Sequence, residues 1–501
     1  MISEQLPVLI VVTPLILSFV VNVVGLWNKK FCYPMVLLAL SACLVFSGGI
    51  LDVVITQGKP IHYYLGGWKP PWGIAYFIDH LSAYMAVIIA AIALIVAIYS
   101  KRSVEQEIPE NKIPQLYTLF LLNITGLLGI TVTGDLFNLY VLLEITSFSA
   151  YALIAIGEKG ALIASFRYVV MGTIGACFYL LGVSFIYIMT GSLNMADVSQ
   201  ILPHLYQSKV VLMAFTFLII GIAIKMALYP LHAWLPDAYT HAPSAISALI
   251  APTMTKVGCY VLIRIMFYVF EPHFSIELIP ITTILGWIAV IAMIVGSLYA
   301  IAQNDLKRML AYSTVAQIGY IVMGIALANK AGLTGSLLHI LNEASTKGCL
   351  FLVAGAIMYK MRMRNINQLK HLFWKMPFTM IAFTIAALSM IGIPPTCGFF
   401  SKLYLLLGAI DAKQWVFVAA LLISTILCVV YFFNVIKYTF FEPSEPAYAY
   451  DGGSRETTNI DEVTLSMLIP IWITAIGIVL LGIFSGKIIS TVLKFTIPTG
   501  F

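Results

Sequence analysis

Apolar windows of about 20 residues recur along almost the whole chain, and they constrain the fold more than any other feature. A helix of this length crosses a hydrocarbon core ~30 Å thick. About fourteen windows are present, from 6–26 to 464–485. Only 10% of the residues are charged, against roughly 25% in soluble domains. The sequence therefore predicts an all-α integral membrane protein, a single polytopic domain over 1–501.

Basic residues in the connections predict the orientation of these spans. If the spans alternate, 16 of the 28 Lys and Arg residues fall on one side of the bilayer and 7 on the other, while five lie within spans or at their ends. Cytoplasmic loops carry the excess of basic residues. We therefore expect the richer side to face the cytoplasm, which places both termini outside the cell membrane.

Several classes of chemistry find no support in the sequence. The seven cysteines are scattered without CxxC spacing, so they predict neither an iron–sulfur cluster nor a disulfide framework. Neither the P-loop pattern nor the Rossmann fingerprint occurs. We expect no cofactor, no bound metal, no nucleic-acid partner and no catalytic or redox centre in this chain, so energy must come from an ion gradient or a partner.

Five apolar spans carry a charged residue: Glu144, Lys225, Lys256, Lys347 and Lys402. Each charge costs roughly 2.5–3.5 kcal/mol at the centre of a membrane helix. Snorkelling or a structural ion pair explains one such residue, but five on different spans indicate a path for protons or ions. Burial disfavours the charged form of an ammonium, so these lysines are suited to exchanging a proton.

One span carries three polar residues in register. His339, Glu343 and Lys347 are four residues apart, and this spacing predicts that they share one helix face.

Two spans are interrupted by proline. The segment 224–243, IKMALYPLHAWLPDAYTHAP, contains Pro230, Pro236 and Pro243, and GIPPTCGFFSK at 392–402 contains Pro394 and Pro395. Proline cannot continue helical hydrogen bonding. Because the interrupted spans lie five spans apart, they predict two inverted five-helix repeats, 115–268 and 279–440, followed by a C-terminal span at 464–485.

Several long motifs resemble a known family. The stretch 225–264 beginning KMALYPLHAWLPDAYTHAP, together with NDLKRMLAYSTVAQIGY (304–320), GIPPTCGFFSK and DLFNLYVLLE (135–144), resembles the proton-translocating membrane subunits of respiratory complex I and Mrp-type cation/proton antiporters. The likeness covers roughly 76–440. LGGWKPPWGIAYFIDHLSAYM (65–85) looks most similar to the D-type subunit of Mrp antiporters and the matching subunit of membrane-bound hydrogenases.

The resemblance implies roles for the buried charges. Glu144 and Lys225 would form an ion pair, and the opening and closing of this pair would shift the pKa of the lysine. Lys256 would be the central lysine, and Lys402 the terminal lysine that exchanges protons with the far side. Pro230, His232 and Asp237 would belong to the loop of the broken helix.

His339 and Lys347 would belong to a central relay. Glu343 departs from complex I relatives, which often have histidine there. We expect its carboxylate to face Lys347 and to favour a cation site or a differently tuned proton step.

The resemblance implies a proton- or sodium-translocating subunit of a multisubunit complex, either an Mrp-type antiporter or a redox-driven hydrogenase module. A proton-pumping subunit of complex I is the alternative. A distant alternative is an intramembrane enzyme that binds a metal through His232, Asp237 and His241. A structural scaffold is a third hypothesis, but it leaves the buried charges unexplained.

Overall fold

The computed structural model describes residues 2–158, 160–440 and 460–498. The first ten helices are α1 Ile2–Trp27, α2 Cys32–Gln57, α3 His80–Glu107, α4 Ile113–Val132, α5 Leu136–Ala155, α6 Ala161–Thr190, α7 Met195–Ile201, α8 Lys209–Lys225, α9 Trp234–His241 and α10 Ser244–Arg264. The next nine are α11 Ile281–Ile301, α12 Leu306–Ala326, α13 Lys330–Met361, α14 Leu372–Lys375, α15 Pro377–Ile391, α16 Cys397–Asp411, α17 Trp415–Phe440, α18 Leu465–Ile483 and α19 Ser485–Thr491.

The predicted all-α membrane fold is confirmed. Twelve helices in the described part of the chain are long and apolar enough to cross a membrane. The two other predicted spans are the proline-interrupted ones: α8 has 17 residues, and α15 and α16 have 15 each. The count of fourteen is therefore not established by helix length, because both interrupted spans are divided into shorter pieces.

A short hairpin connects α2 to α3. Strands β1 (Ile61–Tyr64) and β2 (Ala75–Ile78) pair antiparallel, with Ile61 opposite Ile78. The side chain of Asp79 follows β2 and accepts a hydrogen bond from the backbone N–H of Ser82, which caps the start of α3.

Both ends of the described chain lie on the hairpin's side of the helix bundle. The Tyr63 hydroxyl of β1 donates to the Gln5 side chain at 2.7 Å. At the other end, the ring of Phe495 stacks on His80 with centroids 5.0 Å apart. Lys159 and Arg455, two of the basic residues counted on the predicted cytoplasmic side, lie outside the described residues. Most of the segment 442–462, which precedes the last span, also lies outside them.

Two connections in the bundle have a similar local structure. Asp135 caps α5 and forms a β-bridge with Asn194, which caps α7; Asp305 caps α12 and forms a β-bridge with Asn365.

Helices α5 and α12 run in opposite directions. Gly157, just beyond the end of α5, and Lys307, at the start of α12, line the same cavity. The end of α5 and the start of α12 therefore lie on the same side of the bundle.

Three helices form the centre of the bundle. Every residue in the apolar window of α13 is buried, and 94% are buried in α10 and in α12, whereas only 33% are buried in α1 and α2. Polar side chains within these windows of α10, α12 and α13 are therefore enclosed by protein.

Asp79 and Arg264 form a buried cluster beside the hairpin. The guanidinium donates to both Asp79 carboxylate oxygens and to the Ser82 hydroxyl, and it lies over the Tyr268 ring at 4.4 Å. The Arg264 side chain is 5% exposed, so its charge depends on Asp79 for compensation.

Replacing Asp79 should destabilise the protein strongly. Asp79→Ala leaves Arg264 buried without its counter-charge and also removes the cap of α3. We expect a loss of about 3–5 kcal/mol, measured as a lower thermal unfolding midpoint in detergent. Asp52→Ala, which changes an exposed aspartate on α2, is the control; equal midpoints for the two variants would contradict this assignment.

Candidate functional site

Lys225 is the last residue of α8, and it pairs with Glu144 of α5 as predicted. Its Nζ lies 2.8 Å from Glu144 Oε1 and donates to Ser147 Oγ at 2.8 Å. The Lys225 side chain is 6% exposed and that of Glu144 is 15% exposed. The pair therefore links α5, an uninterrupted span, to the last residue of α8, where a span is interrupted.

The backbone explains why α8 ends at this lysine. Pro230 has no N–H, and a residue before proline avoids the helical conformation. Ala227 adopts a positive φ of 57°, and the Trp234 indole N–H returns to donate to the Ile224 carbonyl at 3.0 Å. The break thus places Lys225 in the bundle while its helix end remains hydrogen-bonded.

The residues predicted for the broken-helix loop divide into two groups. Pro230 and His232 lie in the turn, where the His232 ring stacks on Tyr229 with centroids 5.1 Å apart. Asp237 does not lie in the loop: it belongs to the first turn of the short helix α9, and its carboxylate meets Arg167 at 2.5 Å and Arg308 at 3.5 Å.

The central pair differs from the sequence expectation. Glu343 Oε1 lies 3.3 Å from Lys256 Nζ on α10, and the two side chains are 0% and 1% exposed. Lys256 also donates to the Ala251 carbonyl at 2.8 Å. The direct partner of Glu343 is therefore Lys256 rather than Lys347, although Lys347 still interacts with it electrostatically. Helix spacing gave the correct face of α13 but not the partner.

The other two residues of the predicted row on α13, Lys347 and His339, face α12 and α16. Lys347 donates to the Leu310 carbonyl at 2.9 Å and to the Ser313 hydroxyl. His339 bonds through Nδ1 to Ser401 Oγ at 3.0 Å and through Nε2 to Gln317 Oε1 at 2.7 Å. Both side chains are completely buried.

Lys402 lies across the second break. Its Nζ donates to the carbonyls of Met390 and Ile391, at 2.8 and 3.1 Å, where α15 ends. Gly392 ends that helix with a φ of 94°, and a Cβ there would lie 3.1 Å from the lysine side chain. Glycine therefore permits both the sharp ending and the close approach of Lys402.

The metal-site alternative gains no geometric support. Across residues 2–158, 160–440 and 460–498, no group of three or more His, Cys, Asp or Glu side chains is placed to hold a metal ion. Asp237 forms ion pairs with two arginines. His241 instead lines a cavity together with Lys307 and Arg364.

Sequence reasoning missed several neutral partners of the buried charges. Gln317 is an amide within the apolar run of α12 and Ser401 directly precedes Lys402, so both were visible in the sequence, but nothing in their spacing indicated His339 as the partner. Lys307, one of the 16 basic residues counted on the cytoplasmic side, is buried and donates to the Ala242 carbonyl at 3.0 Å.

Water is expected at several buried polar atoms of the bundle. Within the described chain, buried polar atoms that lack a protein hydrogen-bond partner include Glu343 Oε2, Asn342 Nδ2, Asn123 Oδ1, Tyr151 Oη and His232 Nδ1. Buried polar atoms in native proteins are normally satisfied by protein or by water. These atoms are therefore candidate contacts for water between the charged side chains.

Comparison with known proteins identifies the relationship. A protein-family profile described as NADH:quinone oxidoreductase/Mrp antiporter, TM, matches residues 133–428. NADH-quinone oxidoreductase subunit N of Desulforudis audaxviator is 45% identical over 501 residues, 99% of each chain. Antiporter subunit mnhD2 of Staphylococcus epidermidis is 30% identical over 436 residues, 86% of each chain.

Solved structures show the same fold. A chain of the archaeal membrane-bound sulfane sulfur reductase, a respiratory membrane complex, is 31% identical with a TM-score of 0.87, covering 98% of this chain and 96% of that one. A chain of the Mrp complex from Dietzia sp. is 25% identical with a TM-score of 0.86, covering 99% and 97%. The chain therefore belongs to the NADH:quinone oxidoreductase/Mrp antiporter transmembrane family.

Proposed function

We propose that the chain is an antiporter-like, ion-translocating subunit of a multisubunit membrane complex and that it moves protons, with Na⁺ as a second candidate ion. The observation that carries the proposal is the presence of two buried lysine–carboxylate pairs, Glu144–Lys225 and Glu343–Lys256, in one bundle.

The physical argument rests on the cost of these pairs. Removing both partners of an ion pair from water costs several kcal/mol per ion, and apolar residues often stabilise a fold equally well. Intramembrane ionisable residues are therefore functional candidates by default. Here they occur with a buried histidine and with unpartnered polar atoms that can bind water, which are the components of a proton path.

The relatives support membership of a larger assembly. Their names describe a subunit of NADH-quinone oxidoreductase, an antiporter subunit and chains of two membrane complexes. Identity to subunit N, at 45%, exceeds identity to mnhD2, at 30%, so a proton-pumping role in a complex I-like assembly is as well supported as a role in an Mrp-type antiporter. In either case the driving energy would come from a partner or an ion gradient.

Two finer features belong to the same proposal. The inverted repeats would span 115–268 and 279–440, supported by the paired connections at Asp135 and Asp305. Both termini would lie outside the cell, supported by the 16 to 7 distribution of basic residues.

The first pair should be required for transport. Glu144→Ala removes the only carboxylate hydrogen-bonded to Lys225 among the described residues, so we expect loss of gradient-driven ion exchange in proteoliposomes while the complex still assembles. Glu144→Asp should retain more activity because it changes only distance. Glu277→Ala, at an exposed position, is the control; normal exchange by an assembled Glu144→Ala complex would reject the pair.

Lys402 should act through proton release. Lys402→Ala is expected to block transport and Lys402→Arg to restore it only partly, because a guanidinium keeps its proton in proteins. Ion flux in reconstituted vesicles measures both variants, with Lys330→Arg at an exposed position as the control. Full activity with arginine would assign Lys402 a purely electrostatic role.

Glu343 should tune the ion or the pH dependence. Glu343→Gln leaves Lys256 buried without its counter-charge, so we expect a changed pH optimum of flux or a changed Na⁺ dependence. His241→Ala should change neither, because His241 lies at the end of α9, in a cavity lined by Lys307 and Arg364, and makes no contact with Glu343 or Lys256 among the contacts of the described residues. Flux is measured against pH with and without Na⁺; identical profiles for wild type and Glu343→Gln would make Glu343 a structural residue.

A further inference from the structure

His339 is held by three side chains from two neighbouring helices. Its Nδ1 lies 3.0 Å from Ser401 Oγ on α16, and its Nε2 lies 2.7 Å from Gln317 Oε1 on α12. The ring also stacks on Tyr320 of α12, with centroids 5.4 Å apart and planes at 25°. Its position is therefore defined on both edges and on one face.

The hydrogen-bonding capacity of these groups restricts where protons can be. With the oxygen of the Gln317 amide oriented toward the ring, Nε2 carries a hydrogen toward it, because an amide oxygen only accepts. In a neutral ring Nδ1 then accepts a hydrogen bond, and in the protonated ring Nδ1 donates one. The partner of Nδ1 must consequently be able to reverse its role.

Ser401 is such a partner, because its hydroxyl has a second acceptor within reach. Ser401 Oγ also lies 3.1 Å from the Gly398 carbonyl oxygen, to which it can donate. With His339 neutral, the hydroxyl hydrogen points to Nδ1. With His339 protonated, Nδ1–H donates to Ser401 Oγ, and the hydroxyl hydrogen turns to Gly398. Every group remains satisfied in both states.

Ser401 lies next to two groups of the proposed path, His339 and Lys402. Ser401 is adjacent to Lys402, and the Lys402 ammonium lies 4.9 Å from the centroid of the same Tyr320 ring that stacks on His339. Lys402 and Lys256 both act electrostatically on His339. The charged groups that face the histidine from α16 and α10 are thus cationic, while its direct contacts are neutral.

We propose that Ser401 is a positioning residue for proton transfer at His339, and that its hydroxyl alternates between His339 Nδ1 and the Gly398 carbonyl as His339 gains and loses a proton. No net transfer to the serine occurs: it keeps one hydrogen in both states. This inference rests on the proposed transport function, but the hydrogen-bond alternation is a property of the protein at rest and can be measured without transport.

The first test compares transport by the assembled complex in proteoliposomes. Ser401→Ala leaves Nδ1 unsatisfied in the buried site, so we expect transport to fall about ten-fold with a shifted pH profile, whereas Ser401→Thr keeps the hydroxyl and should stay within about two-fold of wild type. The control is Ser297→Ala, an equally buried serine of α11 that bonds the Met293 carbonyl and Ser424. It should match wild type.

The second test observes the ring directly. Complex containing ¹⁵N-histidine in this chain is titrated by NMR, and the His339 signals are identified by their loss in His339→Gln. We expect hydrogen on Nε2 at high pH, addition of a proton at Nδ1 on acidification, and a changed Nδ1 signal in Ser401→Ala but not in Ser297→Ala. A Ser401→Ala complex with wild-type transport and an unchanged Nδ1 signal would overturn the inference. So would equal transport losses in Ser401→Ala and Ser401→Thr with that signal unchanged. If wild type moves no ions, the proposed function fails, while the titration still decides the hydroxyl's role.

Discussion

Compensation of buried charge is the constraint on which the rest of this structure depends. An ammonium or carboxylate inside a bilayer is tolerated only with partners that replace water. The bundle supplies two kinds of partner. Lys225 and Lys256 meet carboxylates, whereas Lys347 and Lys402 donate to backbone carbonyls and hydroxyls. The innermost helices α10, α12 and α13 can carry polar side chains because the outer helices separate them from lipid.

The lysines at the two interrupted spans are compensated by different kinds of partner. At the first break, Lys225 ends its helix and reaches sideways to Glu144, while the freed backbone is bonded by Trp234. At the second break, the Lys402 ammonium donates directly to the carbonyls of Met390 and Ile391 at the end of α15. The negative end of the α15 dipole thus faces the ammonium. The two lysines therefore have different electrostatic surroundings: a carboxylate faces Lys225, whereas backbone carbonyls face Lys402.

Neutral groups form the immediate surroundings of His339. Gln317, Ser401 and Tyr320 surround His339 without adding charge, so the histidine can change its proton content with few rearrangements. The nearby Glu343–Lys256 pair has one unpartnered carboxylate oxygen. An ion path needs groups that are held in place yet have a second available hydrogen-bonding state, and this part of the bundle has both properties.

The sequence alone was sufficient to predict the membrane class, the two proline breaks and the Glu144–Lys225 pair, because composition, proline chemistry and a strong resemblance are read along the chain. Only the tertiary structure decided that Glu343 bonds Lys256, that Asp237 bonds two arginines and that Ser401 and Gln317 enclose His339. Helical periodicity places residues on a face, but the neighbour that a face meets depends on how each helix is rotated and packed. In a membrane protein apolar residues cover both lipid-facing and buried surfaces, so hydrophobic patterning alone does not specify that rotation.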